Sequence, residues 1–208
     1  MQKTVSPTDR IRKRYNRTAF FYDFMETPME YLLFASWRQQ LTNRIAGPAA
    51  LEVGVGTGKN LAYYPVDVDI TAIDLSPRML ARAQKRANKL NLQVHLREMD
   101  VQHLDFADHS FDTVFATFVF CSVPDPVLGL RELRRVCKPN GRLLLLEHVR
   151  PGNAYLGFFF DVLNPVIVRM MGANINRRTT DNVRQAGWQI KVEKNLSAEV
   201  VKWIEAMP

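Results

Sequence analysis

Cysteine is scarce: Cys121 and Cys137 are the only two in 208 residues. They form no C-x-x-C and have no second pair beside them, so neither a metal site nor a disulfide framework is expected. Both read as small buried residues in a reducing compartment. Long apolar runs are lacking too. A membrane-crossing helix needs ~20 apolar residues with few charges. The nearest candidate, Tyr155 to Met171, is shorter, carries Asp161 and Arg169, and is interrupted at Asn164-Pro165. One or two helices that cover a site or touch lipid are expected there. The opening Met1-Gln2-Lys3-Thr4-Val5-Ser6-Pro7 lacks an apolar stretch with a cleavage site, so no secretory signal is expected. Repeats and low-complexity tracts are missing, and the length suits one domain with a sizeable core.

Acidic residues are the minority, 21 against 28 Lys and Arg, for a net charge of +7. Before the first strand the count is eight basic (Lys3, Arg10, Arg12, Lys13, Arg14, Arg17, Arg38, Arg44) against four acidic (Asp9, Asp23, Glu26, Glu30). That segment therefore holds +4 of the +7. Such a bias suggests an anionic partner, a membrane surface or nucleic acid. Arg10 to Phe24 reads as a helix with Ile11, Tyr15, Thr18, Ala19 and Tyr22 on one face and basic residues over much of the remainder. A basic helix with an aromatic edge is suited to a bilayer interface.

Beyond this basic segment the chain alternates strand and helix. Strands are expected at about 50–54, 69–73, 92–97, 111–117 and 142–149, with a closing antiparallel pair at 188–192 and 200–207. Helices are expected at about 58–64, from Ser76-Pro77 through Leu90 with serine as N-cap, at 126–137 and at 179–186. Lys138-Pro139-Asn140-Gly141 reads as a helix stop and turn, and Gly187 as the stop of the last helix. Such βαβα alternation means a parallel sheet wound with helices on both faces.

The informative stretch is Leu51-Glu52-Val53-Gly54-Val55-Gly56-Thr57-Gly58, an apolar strand running into three glycines spaced two apart. Glycine lets the backbone turn tightly and approach a ligand without a Cβ in the way. A dinucleotide loop is G-x-G-x-x-G, but the place of its third glycine is held by Lys59. Asp74 closes the next strand ~20 residues after Gly54, where a ribose-binding acid is expected, since a carboxylate accepts from two vicinal hydroxyls. Glu98-Met99-Asp100-Val101 closes the third. Three acids in register at successive strand ends point to a nucleoside.

These residues, with Asp74-Leu75-Ser76-Pro77-Arg78-Met79-Leu80, Asp100-Val101-Gln102-His103-Leu104 and Lys138-Pro139-Asn140-Gly141, resemble the class I S-adenosylmethionine (SAM)-dependent methyltransferases over nearly the whole chain. Phe120-Cys121-Ser122-Val123-Pro124-Asp125-Pro126 and Leu146-Glu147-His148-Val149 are most similar to bacterial phospholipid N-methyltransferases and ubiquinone/menaquinone methyltransferases, a branch that includes thiol methyltransferases. The resemblance implies a Rossmann-like α/β fold: a seven-stranded, mostly parallel sheet with helices on both faces, plus an N-terminal amphipathic helix. Residues 1–47 would be the helical lid or membrane contact and 48–208 the methyltransferase domain. SAM is the implied cofactor. Glu52, Gly54, Gly56 and Gly58 would serve its methionine part, Asp74 the ribose, Leu75 and Met79 the faces of the adenine, and Asp100 with Val101 its edge. Phe118 joins this set. Asn140, where relatives often have glycine, is a turn residue that tolerates the left-handed region.

For the acceptor, Thr117-Phe118-Val119-Phe120-Cys121-Ser122 lacks the Asn/Asp-Pro-Pro-Tyr of enzymes that methylate exocyclic base amines. Cys121 also lacks the preceding proline of RNA C5-methyltransferases. Nucleic acid therefore falls behind membrane as the anionic partner. The lead expectation is stepwise N-methylation of phosphatidylethanolamine by a cytoplasmic enzyme held peripherally on the inner face of the membrane. Alternatives are C-methylation of a quinone precursor, S-methylation of a small thiol, or a SAM-binding lipid sensor. Candidate catalytic residues are His148 as base or phosphate contact, and Tyr15 and Tyr22 around the methyl. Arg177 and Arg178 are candidate phosphate contacts. Cys121 is a candidate acceptor-site residue, with a structural role the stronger reading.

Overall fold

The computed structural model describes residues 6–29, 34–197 and 199–208; side chains of residues 20–29 and 170–171 lie outside that description. Seven strands form one sheet: β1 (Ala49–Val53), β2 (Asp69–Asp74), β3 (His95–Glu98), β4 (Phe111–Thr117), β5 (Cys137–His148), β6 (Gln189–Leu196) and β7 (Val201–Met207). Their spatial order is β3-β2-β1-β4-β5-β7-β6. The first five are mutually parallel, while β7 runs antiparallel to β5 and β6. The order reverses between β1 and β4, and open α/β sheets bind ligands beyond the strand ends at that point.

Burial explains why the central strands read as continuous apolar runs. Val114, Phe115 and Ala116 of β4 and Leu143 to Leu146 of β5 are fully buried. Alternate side chains enter two separate clusters, one around Val114, Leu143 and Leu145, the other around Phe115, Leu144 and Leu146. Each face of the sheet therefore has its own core. The helices α3 (Pro77–Lys89), α4 (Pro126–Val136) and α6 (Thr179–Gln185) complete the wound layers. Ser76 caps α3 by accepting from Met79 N at 3.2 Å, and Asp125 caps α4 by accepting from Leu128 N at 2.9 Å. Gly187, at φ +89°, ends α6 as expected.

Two expectations are corrected. Residues 58–64 form turns and a short 3₁₀ segment, Leu61–Tyr63, not an α-helix. Pro65 ends the segment, and polar Asn60 is drawn into the core, 1% exposed, bonded to Glu52. Lys138-Pro139-Asn140-Gly141 is not the boundary between helix and strand. Strand β5 begins at Cys137, opposite Phe111, and resumes at Arg142 opposite Thr113, so the four residues bulge out of the strand. Lys138 Nζ fixes the bulge on Asp112 at 2.8 Å. Of the one or two helices expected after β5, the structure has one, α5 (Ala154–Met171), with Pro165 inside it.

Ahead of the sheet, α1 (Pro7–Met29) and α2 (Ala35–Thr42) lie against the strand ends. Leu41 of α2 is fully buried among Ala50, Phe115 and Leu144. Replacing Leu145, which has no exposed surface, with alanine is expected to cost about 2–5 kcal/mol, from lost burial plus the cavity left behind. Denaturant unfolding checks this. A cost below ~1 kcal/mol would contradict the close packing between β4, β5 and β7.

Candidate functional site

The strand ends at the β1/β4 reversal open into a pocket. From β1 come Val53, Gly54, Val55, Gly56 and Thr57; from β2, Ile73, Asp74 and Leu75; from α3, Met79. The β3 end adds Met99, Asp100 and Val101, and the β4 end Thr117 to Val119. The mixture of apolar wall with a few converging polar groups suits one small organic ligand.

Asp74 organises this pocket. Its carboxylate accepts from Gly56 N at 2.9 Å and from Ser76 N at 2.8 Å, tying the glycine loop to the start of α3. Burial pushes its pKa up to about 6 against those two bonds. Each oxygen keeps acceptor capacity for a ribose hydroxyl. Gly56 stands at φ +56°, and a Cβ there would meet only open pocket, its nearest neighbour being Gly54 O at 3.9 Å. That is the condition for a ligand to approach the backbone. Gly58 differs: a Cβ would strike Leu61 Cδ1 at 2.5 Å and Ala83 Cα at 3.1 Å. It is a packing glycine against α3 and does not line the pocket.

Asp100 is already engaged. Oδ1 accepts from Gln102 N at 2.9 Å, and Oδ2 from Gln102 Nε2 at 3.0 Å and the Thr8 hydroxyl at 3.2 Å. Thr8 belongs to α1, so this acid joins the pocket to the N-terminal helix. Further contacts do the same: Arg12 pairs with Glu98, Asn16 Oδ1 accepts from Ser76 Oγ at 2.7 Å, and Tyr15 hydrogen-bonds Ser122 Oγ at 2.6 Å. Ile11 and Tyr15 line the pocket and Ala19 is buried. The apolar edge of α1 thus faces inward as a cover.

Glu52 lies beneath the loop and not in its wall. It is 1% exposed; Oε2 accepts from the Tyr64 hydroxyl and Oε1 from Asn60 Nδ2 at 2.6 Å. Asn60 reaches Thr117 Oγ1 at 3.0 Å, and Arg38 NH1 donates to Asn60 Oδ1 at 3.1 Å and Thr117 Oγ1 at 2.6 Å. Burial pushes the Glu52 carboxyl up to about 7. Arg38 is 5% exposed and reaches the pocket. Sequence reasoning missed this residue, Asn60 and Thr117. A threonine ending an apolar strand and an asparagine just after the glycines were the available signals; nothing local marks Arg38.

Phe118 lines the pocket with φ +60°, a left-handed conformation unfavourable for a side chain of its size. Its N–H donates to Leu146 O at 2.7 Å, and its ring packs on Phe34 and stacks on His148 with centroids 4.5 Å apart. His148 is therefore one ring behind the wall. The Tyr22 side chain lies outside the described residues. Cys121 is buried, with its thiol pushed up to about 12 by burial and by Glu147, so it is neither nucleophile nor pocket lining. Its carbonyl accepts from Asn174 N at 2.8 Å. Arg177 is drawn inward as well, donating to Val123 O at 2.8 Å, and burial lowers its pKa. Arg178 is exposed at the start of α6. Behind Cys121, buried Glu147 accepts from Val119 N at 2.9 Å and Phe120 N at 3.1 Å, holding the loop after β4; burial pushes its carboxyl up to about 7.

A methyltransferase-domain family matches residues 51–145. The chain is similar to the phosphatidylethanolamine N-methyltransferase of Cereibacter sphaeroides, at 37% identity over 147 residues, 67% of this chain and 68% of that one. It is similar to a ubiquinone/menaquinone biosynthesis C-methyltransferase of Geotalea daltonii, at 31% identity over 185 residues, 80% and 77% of the two chains. Among solved structures it superposes on geranyl diphosphate C-methyltransferase from Streptomyces coelicolor, in complex with Mg²⁺, geranyl diphosphate and S-adenosyl-L-homocysteine, with TM-score 0.75. That pair covers 100% of this chain and 99% of the other at 13% identity, a likeness of fold.

The raised carboxyls give opposite pH effects on binding and on stability. A ribose held at Asp74 would donate to its ionised form, so SAM affinity is expected to fall roughly tenfold per pH unit below about 6. Asp74, Glu52 and Glu147 bind protons more readily folded than unfolded. The ligand-free protein should therefore gain stability as pH falls from 7 toward 5. Calorimetric titration with SAM and thermal melts across that range test both. Affinity that is flat to pH 5, or retained in Asp74→Ala, would remove Asp74 from the site.

Proposed function

The chain belongs to the class I SAM-dependent methyltransferases, and from that premise we propose that its acceptor is the amino group of phosphatidylethanolamine. Its mono- and dimethyl products would follow, toward phosphatidylcholine, at a membrane surface. The observation that carries this reading is the 37% identity, over two thirds of both chains, with a relative of that name. The pocket supports it. Bound SAM supplies a methyl on a sulfonium, open to in-line displacement by a neutral amine.

This chain's residues then have three tasks: to hold the reactants in line, to exclude water, and to receive one proton. The α1 cover and the glycine loop serve the first two. For the third, His148 is the candidate; stacked on Phe118 one ring behind the wall, it would take the proton through a bridging water. Aromatic faces stabilise an increasingly methylated ammonium, and Tyr15 and Phe118 both line this cavity; Tyr22 would add to them. Of the two arginines, Arg178 is the better phosphate contact, because Arg177 is committed to Val123 O. Exposed Arg10, Lys13 and Arg17 on α1 supply attraction to anionic lipid, consistent with peripheral association on a cytoplasmic face. Among the described residues no helix is long and apolar enough to cross a membrane.

A second reading, C-methylation of a quinone precursor, draws on the Geotalea daltonii relative, which covers more of this chain. Incubation with labelled SAM and vesicles of each lipid separates them. Label on the phosphatidylethanolamine headgroup, progressing to the trimethyl product, is the expected result. Label confined to a quinone precursor or to a small alkyl thiol would replace the proposal. Tight SAM binding with no methylated acceptor would make the protein a sensor.

A further inference from the structure

Helix α5 turns a large apolar face outward. Its other side mixes half-buried Phe160, Leu163, Ile167 and Val168 with small and polar residues. Gly157 lies under the Arg150 guanidinium, Asp161 pairs with Arg150 at 2.8 Å, and Asn164 Oδ1 accepts from Ile175 N at 3.0 Å. Its outward row is large and apolar: Tyr155 is 88% exposed, Phe158 69%, Phe159 56%, Val162 57% and Val166 54%. These positions recur at helical spacing and extend for ~17 Å along the axis. A soluble protein rarely turns such a stripe to water.

We propose that the outward face of α5 inserts into an anionic phospholipid bilayer and is the membrane-docking surface of this protein. The proposal rests on the lipid-acceptor reading only for what the pocket receives after docking. Charge selects the occupant. At the far end of α5 the side chain of Arg14 passes over Gly172, close enough that a Cβ there would meet Arg14 NH1 at 2.5 Å. Arg14 shares a helical row with Arg10 and Arg17 on α1. Through Arg14 the basic row of α1 meets the C-terminal end of α5, so the chain offers basic and apolar groups together, as suits anionic lipid. A second copy would bring an identical basic row to the contact in a chain of net charge +7, which repels. The segment after α5 also reaches the pocket: Asn174 and Arg177 hold the carbonyls of Cys121 and Val123. Neighbouring Ser122 and Val123 line the cavity. The inserted helix would then lie next to the cavity mouth, with α1 as its cover.

The test uses vesicles of phosphatidylcholine and phosphatidylglycerol containing no phosphatidylethanolamine. In Phe159→Trp, emission is expected to shift to the blue on adding vesicles. Bromine-labelled acyl chains should quench the added signal at least ~2-fold. The triple variant Phe158→Ser, Val162→Ser, Val166→Ser is expected to lower partitioning into vesicles at least ~10-fold, with SAM binding unchanged. An unquenched tryptophan, or wild-type partitioning by the triple variant, would overturn the proposal. So would a dimer in light scattering that the triple variant abolishes while vesicle binding is absent, which would assign the face to a second copy. Because these vesicles lack the proposed acceptor, failure to methylate phosphatidylethanolamine would leave the insertion result standing. Failure to insert would leave methylation of detergent-dispersed phosphatidylethanolamine measurable.

Discussion

The site depends on one buried carboxylate. Glu52 ends β1 with 1% of its surface exposed, and the chain beyond it does not enter an α-helix whose hydrogen bonds would fix the glycine loop. Side chains supply that rigidity. Tyr64 and Asn60 fold back onto Glu52; Asn60 and Thr117 then engage Arg38. One network thus joins the loop, β4 and α2. A buried ion of this kind is expensive unless its partners are all present. Here the positive member comes from α2, well before β1 in sequence, so the glycine loop and the N-terminal segment are set together. The cost shows in the carboxyl itself, which burial pushes up to about 7 despite three favourable partners.

What could be read from the sequence tracks the range of each interaction. The sheet was legible because strand periodicity, the Ser76-Pro77 start and the Gly187 stop are local signals. Asp74 and Asp100 were legible because strand ends are, and the structure brings both to the pocket. Gly58 and Glu52 were assigned to the ligand by proximity to the loop, and they instead pack and brace it. Spacing alone does not distinguish a glycine that faces ligand from one that faces Leu61. Arg38 was invisible because its partners lie 22 and 79 residues away. The left-handed Phe118 was equally silent, since its conformation is imposed by Leu146, Phe34 and His148 from other parts of the chain.

The two amphipathic helices show why composition cannot assign an apolar face. On α1, Ile11 and Tyr15 read as an interfacial edge, yet they close over the pocket. On α5, a run that could have served as core turns Tyr155, Phe158 and Phe159 outward, while Gly157 and Asn164 meet Arg150 and Ile175 on its other side. Pro165 removes one backbone donor, and the helix continues around it.

Strength of attachment separates the cover from the frame. Hydrogen bonds from α1 to Asp100, Ser76 and Ser122 each contribute about 0.5–1.5 kcal/mol net. The Arg12–Glu98 pair, roughly two-fifths exposed on both sides, contributes less than about 1 kcal/mol. Helix α2, by contrast, is fixed by Leu41 in the core and Arg38 in the buried network. The frame must therefore hold when α1 moves, while α1 is bound through the same groups that face the ligand. Asp100 makes the coupling explicit. Thr8 and an adenine amino group would draw on one carboxylate, so a ligand at that end and the start of α1 cannot be energetically independent.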